Sequence, residues 1–459
     1  MPIPSSRPSP RIMMISLHGY VSEAAEIGRP DTGGQVVYVL RLSEQLARMG
    51  FRVDIFTRRF DDQDEIEVVG DRVRIVRIPA GGRGLVRKEW MHEVVPEWVA
   101  NAETWIRRRA LEFAFIDSHY WDAGLAGTSL AERLAIPHVH TPHSLGAWKR
   151  DSMDGNPEEL ERQYNFARRI RDEQRILQSA RGTIATSPQQ RDLLVAGEYQ
   201  VDSRRVAVIP PGYDDSRFFP VSRTTREAIQ ARLGLEGPAI LALGRVAANK
   251  GYDLLLKALP TVVERAPSVT LVLAVGSTRP TPGETAQIEA LQALAERLGV
   301  RARVRLLDYI PDERLADTYR AADVFALSSR YEPFGMTAVE AMACGTPAVI
   351  TTKGGLWQMI EPGRDALCAD PTDPRAFGEA IAAVLSHPEI AERLSRAGAR
   401  QTRATFTWRG IASQVLRLLR QVGESEGPNA RLTDPVVVRR RGARRETRSG
   451  SVWLRSASS

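Results

Sequence analysis

The sequence predicts two consecutive α/β domains, each built on a doubly wound, mostly parallel sheet, facing one another across a deep cleft. Three observations carry this. The 459 residues are enough for two or three domains. Short β-branched runs alternate with helical patterns almost throughout. The alternation breaks at Pro210-Pro211-Gly212 and then restarts.

Before the break, Ile12–Leu17, Arg52–Thr57, Val73–Ile78, Phe113–Ser118, Pro137–Thr141, Gly182–Thr186 and Val206–Pro210 read as strands. Gln35–Met49, Trp90–Arg109, Ala123–Leu134 and Glu158–Ser179 read as helices between them. Tyr213–Thr224 reads as an extended stretch. Strands are then expected at Ala239–Leu243, Thr270–Val275, Val304–Leu307, Val324–Leu327, Pro347–Ile350 and Ala366–Cys368. Helices fill the gaps at Tyr252–Glu264, Glu284–Leu298, Asp312–Ala321, Gly335–Ala343 and Arg375–Leu385, and a last one runs from Trp408 to about Gln421. The expected organisation is an extension at 1–10, a domain at 11–212, a linker at 213–235, a second domain at 236–406, a helix at 407–423 and an Arg-rich, disordered tail at 424–459.

Composition excludes several classes. The apolar fraction of 43% suits real cores, and no apolar run approaches the roughly 18 residues that span a bilayer. Met1–Pro10 is rich in Pro and Ser without an apolar stretch, so no secretory signal is expected. Cys344 and Cys368 are too few for a disulfide framework or a Cys-based metal site, and a reducing, cytoplasmic setting is expected. The net charge is +7, of which Pro428–Ser459 supplies +6, so the body is almost neutral and nucleic-acid binding is not suggested.

The most informative segment is Ser328–Ala348, SSRYEPFGMTAVEAMACGTPA. A strand ends near Ser328 and a helix begins near Gly335. The free N–H groups of Gly335, Met336 and Thr337 then point into the crevice and suit a diphosphate. Glu340 can accept two hydrogen bonds, as a ribose diol offers, and Glu332 sits at the helix entrance. The plainer reading is a capping Glu332 and a surface Glu340; the whole segment in its context favours the functional one. Directly after a strand, Gly244–Gly251 (GRVAANKG) places Arg245 and Lys250 at the same crevice. Two cations there can neutralise a leaving diphosphate. Alone, a basic loop is usually a solvated turn.

In the first half, Pro30–Val37 (PDTGGQVV) follows a strand. Gly33 and Gly34 allow close backbone approach to a ligand, and a helix starts at Gln35. A Gly-rich turn capped by Asp31 or Thr32 explains those residues equally well. His138, His140 and His143 form H-x-H-x-x-H, but no nearby acid completes a metal site. His143 is instead expected to face the cleft from a strand end, and His119-Tyr120-Trp121-Asp122 ends another strand similarly. Lys88 and the pair Arg168-Arg169 are cations from separate helices that can converge on a phosphate; from these residues alone, ordinary surface charge is the simpler reading. No G-x-G-x-x-G follows a strand, which weakens a nicotinamide or flavin reading. Asp62-Gln63-Asp64 lies in an acidic run, Asp61–Glu67, read as a solvated loop.

Glu332–Glu340, EPFGMTAVE, resembles the E-x₇-E element of retaining GT-B glycosyltransferases of family 4. DTGGQVVYVL (31–40), TRRF (57–60), VRIVRIPAGG (73–82), HSLG (143–146), IPPGYDDSRFFP (209–220) and YEPFGMTAVEAMACGTP (331–347) are similar to its sucrose-phosphate synthase-like branch. HYWDAG (119–124), HTPHSLGAWK (140–149) and NKGYDLL (249–255) resemble the members that form mannosylfructose phosphate. The resemblance covers roughly residues 11–421.

It implies two Rossmann-like domains, a nucleotide-diphosphate sugar donor, GDP-mannose, in the second, and fructose 6-phosphate as acceptor in the first. Transfer would retain the anomeric configuration without metal or cofactor. UDP-glucose, giving sucrose phosphate, is the alternative, as is another acceptor within the family. Neither nucleic acid nor membrane is required as a partner; a sugar phosphatase acting downstream is a conceivable one. The resemblance assigns Glu340 to the ribose, Glu332 to the transferring sugar, Arg245 and Lys250 to the leaving diphosphate and His143 to the sugar. It assigns Gly33, Gly34, Gln35, Lys88, Tyr120 and an Arg of the 168–169 pair to fructose 6-phosphate, leaving open which Arg. Cys344 stands where small residues are common in the family, and no redox role attaches to it.

Overall fold

A computed structural model describes residues 9–23, 33–153, 155–276 and 280–424. The first half runs β1 (Arg11–Ile15), α1 (Gly34–Arg48), β2 (Arg52–Arg59), β3 (Ile66–Gly70), β4 (Val73–Pro79), α2 (Val95–Arg108), β5 (Phe115–His119), α3 (Trp121–Leu134), β6 (His138–Thr141), α4 (Gly146–Asp151), α5 (Pro157–Tyr164), α6 (Phe166–Ser179), β7 (Gly182–Ala185), α7 (Pro188–Val195) and β8 (Val206–Val208). Its strands form one sheet in the order β3-β4-β2-β1-β5-β6-β7-β8, parallel except for the edge strand β3. The inner strands are apolar runs rather than alternating patterns because helices cover both faces; Ile12, Met13, Met14 and Ile15 of β1 are all fully buried.

The second half runs α8 (Arg223–Arg232), β9 (Ala239–Leu243), α9 (Tyr252–Arg265), β10 (Thr270–Ala274), α10 (Pro282–Arg297), β11 (Val304–Leu307), α11 (Asp312–Ala321), β12 (Val324–Leu327), α12 (Met336–Ala343), β13 (Ala348–Thr351), β14 (Leu367–Ala369), α13 (Pro374–Ser386), α14 (Pro388–Thr405) and α15 (Trp408–Glu424). Its sheet is parallel, in the order β11-β10-β9-β12-β13-β14. In both sheets the strand order reverses beside the first strand, between β1 and β5 and between β9 and β12. A ligand crevice opens at such a switch point, at the carboxyl ends of the strands.

The chain passes between the halves twice. Tyr213 N–H donates to the Phe406 carbonyl at 2.8 Å, so the two crossings lie side by side. Gly212 is required there: a Cβ would sit 2.6 Å from the Trp408 ring and 2.9 Å from its Cα. After the second crossing, α15 returns to the first half. Its Ile411, Val415, Leu419 and Val422 share a core with Val36, Val39 and Ile184.

Several expectations need correction. Glu158–Ser179 is two helices, because Asn165 takes a left-handed φ of 53° between α5 and α6. The expected helix at Trp90–Arg109 starts with a separate 3-10 turn, Met91–Glu93. The expected extended stretch ends at Ser222, whose side chain caps α8; α8 buries only Ile229, too little for an apolar stripe. The same sparseness hid α14, whose buried positions are Leu394, Gly398 and Thr402. The acidic run is not all solvated loop: it leads into β3, Glu67 pairs with Arg77, and Glu65 accepts from Trp105 Nε1 at 2.7 Å. Asp62 does lie exposed, paired with Arg83 at 2.8 Å. Residues 1–8 of the expected extension and 425–459 of the expected tail lie outside the described residues. Among the described residues no helix is long and apolar enough to cross a membrane.

Candidate active site

On the second half, the site is framed by the β9–α9 and β12–α12 loops. Gly244 and Gly251 adopt φ of 151° and 64° and fold the first loop tightly over the strand end. A Cβ on Gly251 would lie 2.1 Å from the Ser328 carbonyl, so glycine alone lets the two loops touch. The contact delivers Lys250 to Glu332, with Nζ and Oε2 2.6 Å apart, and Ser329 Oγ donates to the same oxygen at 3.1 Å. Burial pushes the Tyr252 hydroxyl well up, with Glu332 adding to the rise and Arg245 opposing it. Gly335, with φ of 114°, opens α12, and the first bond into that turn comes from Ala338 N–H to the Gly335 carbonyl at 3.1 Å. The amides before Ala338 therefore face the crevice without intrahelical partners.

Glu340 is partly buried rather than pointing freely to water. Burial pushes its carboxyl up to about 7, against the donated bond from the Tyr319 hydroxyl at 2.7 Å. It lines a cavity of about 340 Å³ together with Arg217, Tyr309 and Met336 from its own half and Val37 and Leu40 of α1 from the other.

The first half closes over these groups. A Cβ on Gly33 would lie 3.7 Å from the Arg245 guanidinium, and one on Gly34 would lie 3.4 Å from Met336 Sδ. Trp148 of α4 meets Tyr331, just before Glu332, edge-on at 4.7 Å. Gln35 is turned inward: its Nε2 donates to Ser16 Oγ at 3.1 Å and the His119 carbonyl at 3.2 Å, pinning the N-terminus of α1 to the ends of β1 and β5. His143 and Tyr120 both hold left-handed φ, at 57° and 78°, which is strained for a side-chain-bearing residue and typical of functional loops. Burial and the neighbouring His18 bring His143 down to about 3, so its ring is neutral.

The arginine pair divides by burial. Arg169 is 3% exposed, donates to Glu173 at 2.7 Å and to Ser144 at 2.9 Å, and covers the Tyr120 ring at 4.7 Å. Arg168 is far more open and pairs with Asp172 at 2.6 Å. Lys88 lies in a turn before α2 and not on a helix as expected; it stands 3.5 Å from Glu89, whose carbonyl accepts from Asn165 at 3.4 Å, so the Lys88 turn rests on the start of α6. Sequence reasoning missed His18, whose Nδ1 lies 2.7 Å from Asp122 Oδ2 and whose ring meets Tyr120 at 4.5 Å. The signal was present: His18 follows β1 as His119 ends β5. Of the three histidines in H-x-H-x-x-H, His138 and His140 are sealed in the core around Ser118 Oγ, at 2.7 and 2.8 Å, and His143 alone reaches the cleft side. Among the described residues no cluster of His, Cys, Asp and Glu is arranged to hold a metal ion.

Residues 32–217 match the family described as Glycosyltransferase Family 4, and residues 225–401 match Glycosyl transferases group 1. A mannosylfructose-phosphate synthase of Agrobacterium fabrum is 50% identical over 414 residues, 89% of this chain and 91% of that protein. The chain belongs to glycosyltransferase family 4. This glycosyltransferase is a hexosyltransferase of GT-B fold. It is also 35% identical to a D-inositol 3-phosphate glycosyltransferase of Corynebacterium urealyticum, over 92% of this chain and 98% of that one. Among solved structures, a sucrose-phosphate synthase of Thermosynechococcus elongatus superposes with a TM-score of 0.80 at 31% identity, covering 90% of this chain and 99% of that one.

Proposed function

We propose that this glycosyltransferase moves a mannosyl group from GDP-mannose to fructose 6-phosphate, with retention, to give mannosylfructose phosphate. The observation that carries the substrate choice is the 50% identity to a mannosylfructose-phosphate synthase across nearly the whole of both chains. The cleft geometry supports the roles. Glu340, half satisfied by Tyr319, takes the ribose diol. The first amides of α12 take the diphosphate, and Arg245 and Lys250 absorb the charge that grows as it leaves. Glu332, held by Lys250 and Ser329, orients hydroxyls of the transferring sugar. His143 contacts that sugar from the other half.

Gly33 and Gly34 offer backbone to the acceptor, with Tyr120 beside it. Lys88 and Arg168 are the cations for its phosphate. Arg169 and Gln35 act behind them, holding Tyr120 and the α1 terminus in place. The substitution is front-face: the leaving diphosphate takes the proton of the attacking hydroxyl as the new bond forms on the same side of the sugar. No carboxylate nucleophile is needed, which suits a Glu332 already committed to hydrogen bonds. Contact between the halves excludes water that would hydrolyse the donor. Two soluble substrates suit a cytoplasmic enzyme, and the phosphomonoester retained in the product suits a sugar phosphatase downstream.

The sucrose-phosphate synthase likeness supports a second reading, in which UDP-glucose is the donor. A matrix of GDP-mannose, UDP-glucose and ADP-glucose against fructose 6-phosphate and inositol phosphate decides between them. GDP-mannose with fructose 6-phosphate is expected to give the highest kcat/KM. A sucrose phosphate product from UDP-glucose at higher kcat/KM would replace the first reading by the second.

A further inference from the structure

Beneath His143 lies a chain of sealed polar groups that the transfer scheme does not use. His143 Nε2 is 3.0 Å from His119 Nδ1. The other nitrogen of His119 is 3.6 Å from Asp117 Oδ2, a few tenths of an ångström beyond a hydrogen bond. Asp117 and His119 are both completely buried, and neither Asp117 oxygen nor His119 Nε2 has another protein partner. Tyr38 of α1 packs edge-on against His143 at 4.9 Å and lies over His119 at 5.6 Å, so both rings are held in place. His143 itself is only partly buried, and with Nε2 facing His119 its Nδ1 is the ring nitrogen left over for a ligand.

We propose that Asp117 and His119 form a buried relay that decides whether His143 offers an N–H or a lone pair to the substrate. This rests on the reading of His143 as a contact of the transferring sugar. Each imidazole is neutral and carries one proton, so the two tautomers are locked to one another. When Asp117 is a neutral carboxylic acid, its O–H points at His119 Nε2. His119 must then carry its proton on Nδ1 and donate to His143 Nε2, and His143 carries its own on Nδ1, toward the cleft. When Asp117 loses its proton to solvent, the carboxylate demands an N–H from His119. Both rings then move their proton to Nε2, and His143 presents a bare nitrogen.

The titratable groups around the relay are His119 on the same strand as Asp117, Tyr38 from α1, His143 after β6 and, on β6 itself, His140, which acts on both His119 and His143. Burial raises Asp117 to about 8 without a neighbouring charge to offset it, and burial with the adjacent imidazoles holds His119 far below its usual range. The acid form of Asp117 therefore prevails at neutral pH. Asp117 and His119 are positioning residues: they act on the substrate through His143.

The test is the pH profile of kcat/KM for wild type, Asp117→Asn and Asp117→Leu, with thermal unfolding as the folding control. Wild type should lose activity above about pH 8. Asn is a permanent neutral donor and should restore neutral-pH activity while abolishing that alkaline limb. Leu offers no donor and should lower kcat/KM roughly tenfold at every pH, the scale of one lost buried hydrogen bond. In parallel, ¹⁵N NMR of the His143 ring should report Nδ1–H at pH 7 and Nε2–H at pH 9. An alkaline limb that survives in Asp117→Asn, equal behaviour of the Asn and Leu variants, or Nε2–H at pH 7 would overturn the relay. Wild-type turnover in His143→Phe would overturn the sugar contact instead, and the NMR measurement would still judge the relay.

Discussion

The two faces of the cleft are built differently. The proposed donor face comes from two short loops, 244–251 and 328–340, whose charged groups meet directly, Lys250 on Glu332 at 2.6 Å. The proposed acceptor face is collected from the ends of β1, β5 and β6, the start of α1, the Lys88 turn and α6. There several cations that look alike in sequence have different fates: Arg169 is spent on Glu173 and Ser144 inside the fold, while Arg168, next to it, stays open. Charge on the donor face is local and complementary. On the acceptor face its use depends on which side of a helix each residue takes.

The sharpest break of this comparison is on the donor face. Lys250→Ala and Glu332→Gln should each lower kcat by about 10²–10³, the scale seen when a charge-stabilising donor is removed from a site. Wild-type turnover in either variant would show that the pair is structural. Next is the divided arginine pair. Arg169→Met leaves the buried Glu173 without its counter-charge, with the Gly146 N–H and the Tyr199 hydroxyl still donating to it, and should cost about 3–5 kcal/mol of stability, read as a fall in denaturant midpoint. Arg168→Met should leave that midpoint nearly unchanged and raise KM for fructose 6-phosphate alone. Equal midpoints for the two variants would erase the distinction.

A smaller effect concerns Glu340. Burial raises its pKa to about 7, so the carboxylate that can accept two ribose hydroxyls is lost as pH falls through that value. KM for the donor should therefore rise below about pH 7, and Glu340→Gln should flatten that dependence. A donor KM that is unchanged between pH 8 and pH 6 would contradict it. Smallest of all, Cys368→Ser, a near-isosteric change at a partly buried position of β14 that touches no proposed site residue, should leave transfer within about twofold.

These differences also explain what could be read from the chain. The donor face was legible because a tight turn, a helix start and their cations and carboxylates are contiguous in sequence. The alternation of parallel strands and helices was legible because buried strands are unbroken apolar runs, as in Ile12–Ile15. Elements that bury little gave no such signal: α8 contributes Ile229 alone, and α14 shows three spaced small or apolar positions. The break at Asn165 was hidden because a left-handed residue between two helices leaves the polar pattern uninterrupted. The inward turn of Gln35, the reach of Arg169 to Ser144 and the His18–Asp122 pair depend on contacts between residues 25 to 104 apart, which spacing does not encode.

In the proposed reaction the protein's own cations carry the charge of the departing diphosphate at the meeting of the two halves. The most direct test of this compares GDP-mannose affinity with turnover in Lys250→Ala, using fructose 6-phosphate as acceptor and a chelator throughout. Wild type should form mannosylfructose phosphate with retained configuration under chelation, and the variant should bind the donor within a few-fold of wild type yet turn over at least about a hundredfold more slowly. Undiminished turnover in the variant, or a wild-type reaction abolished by the chelator, would contradict it.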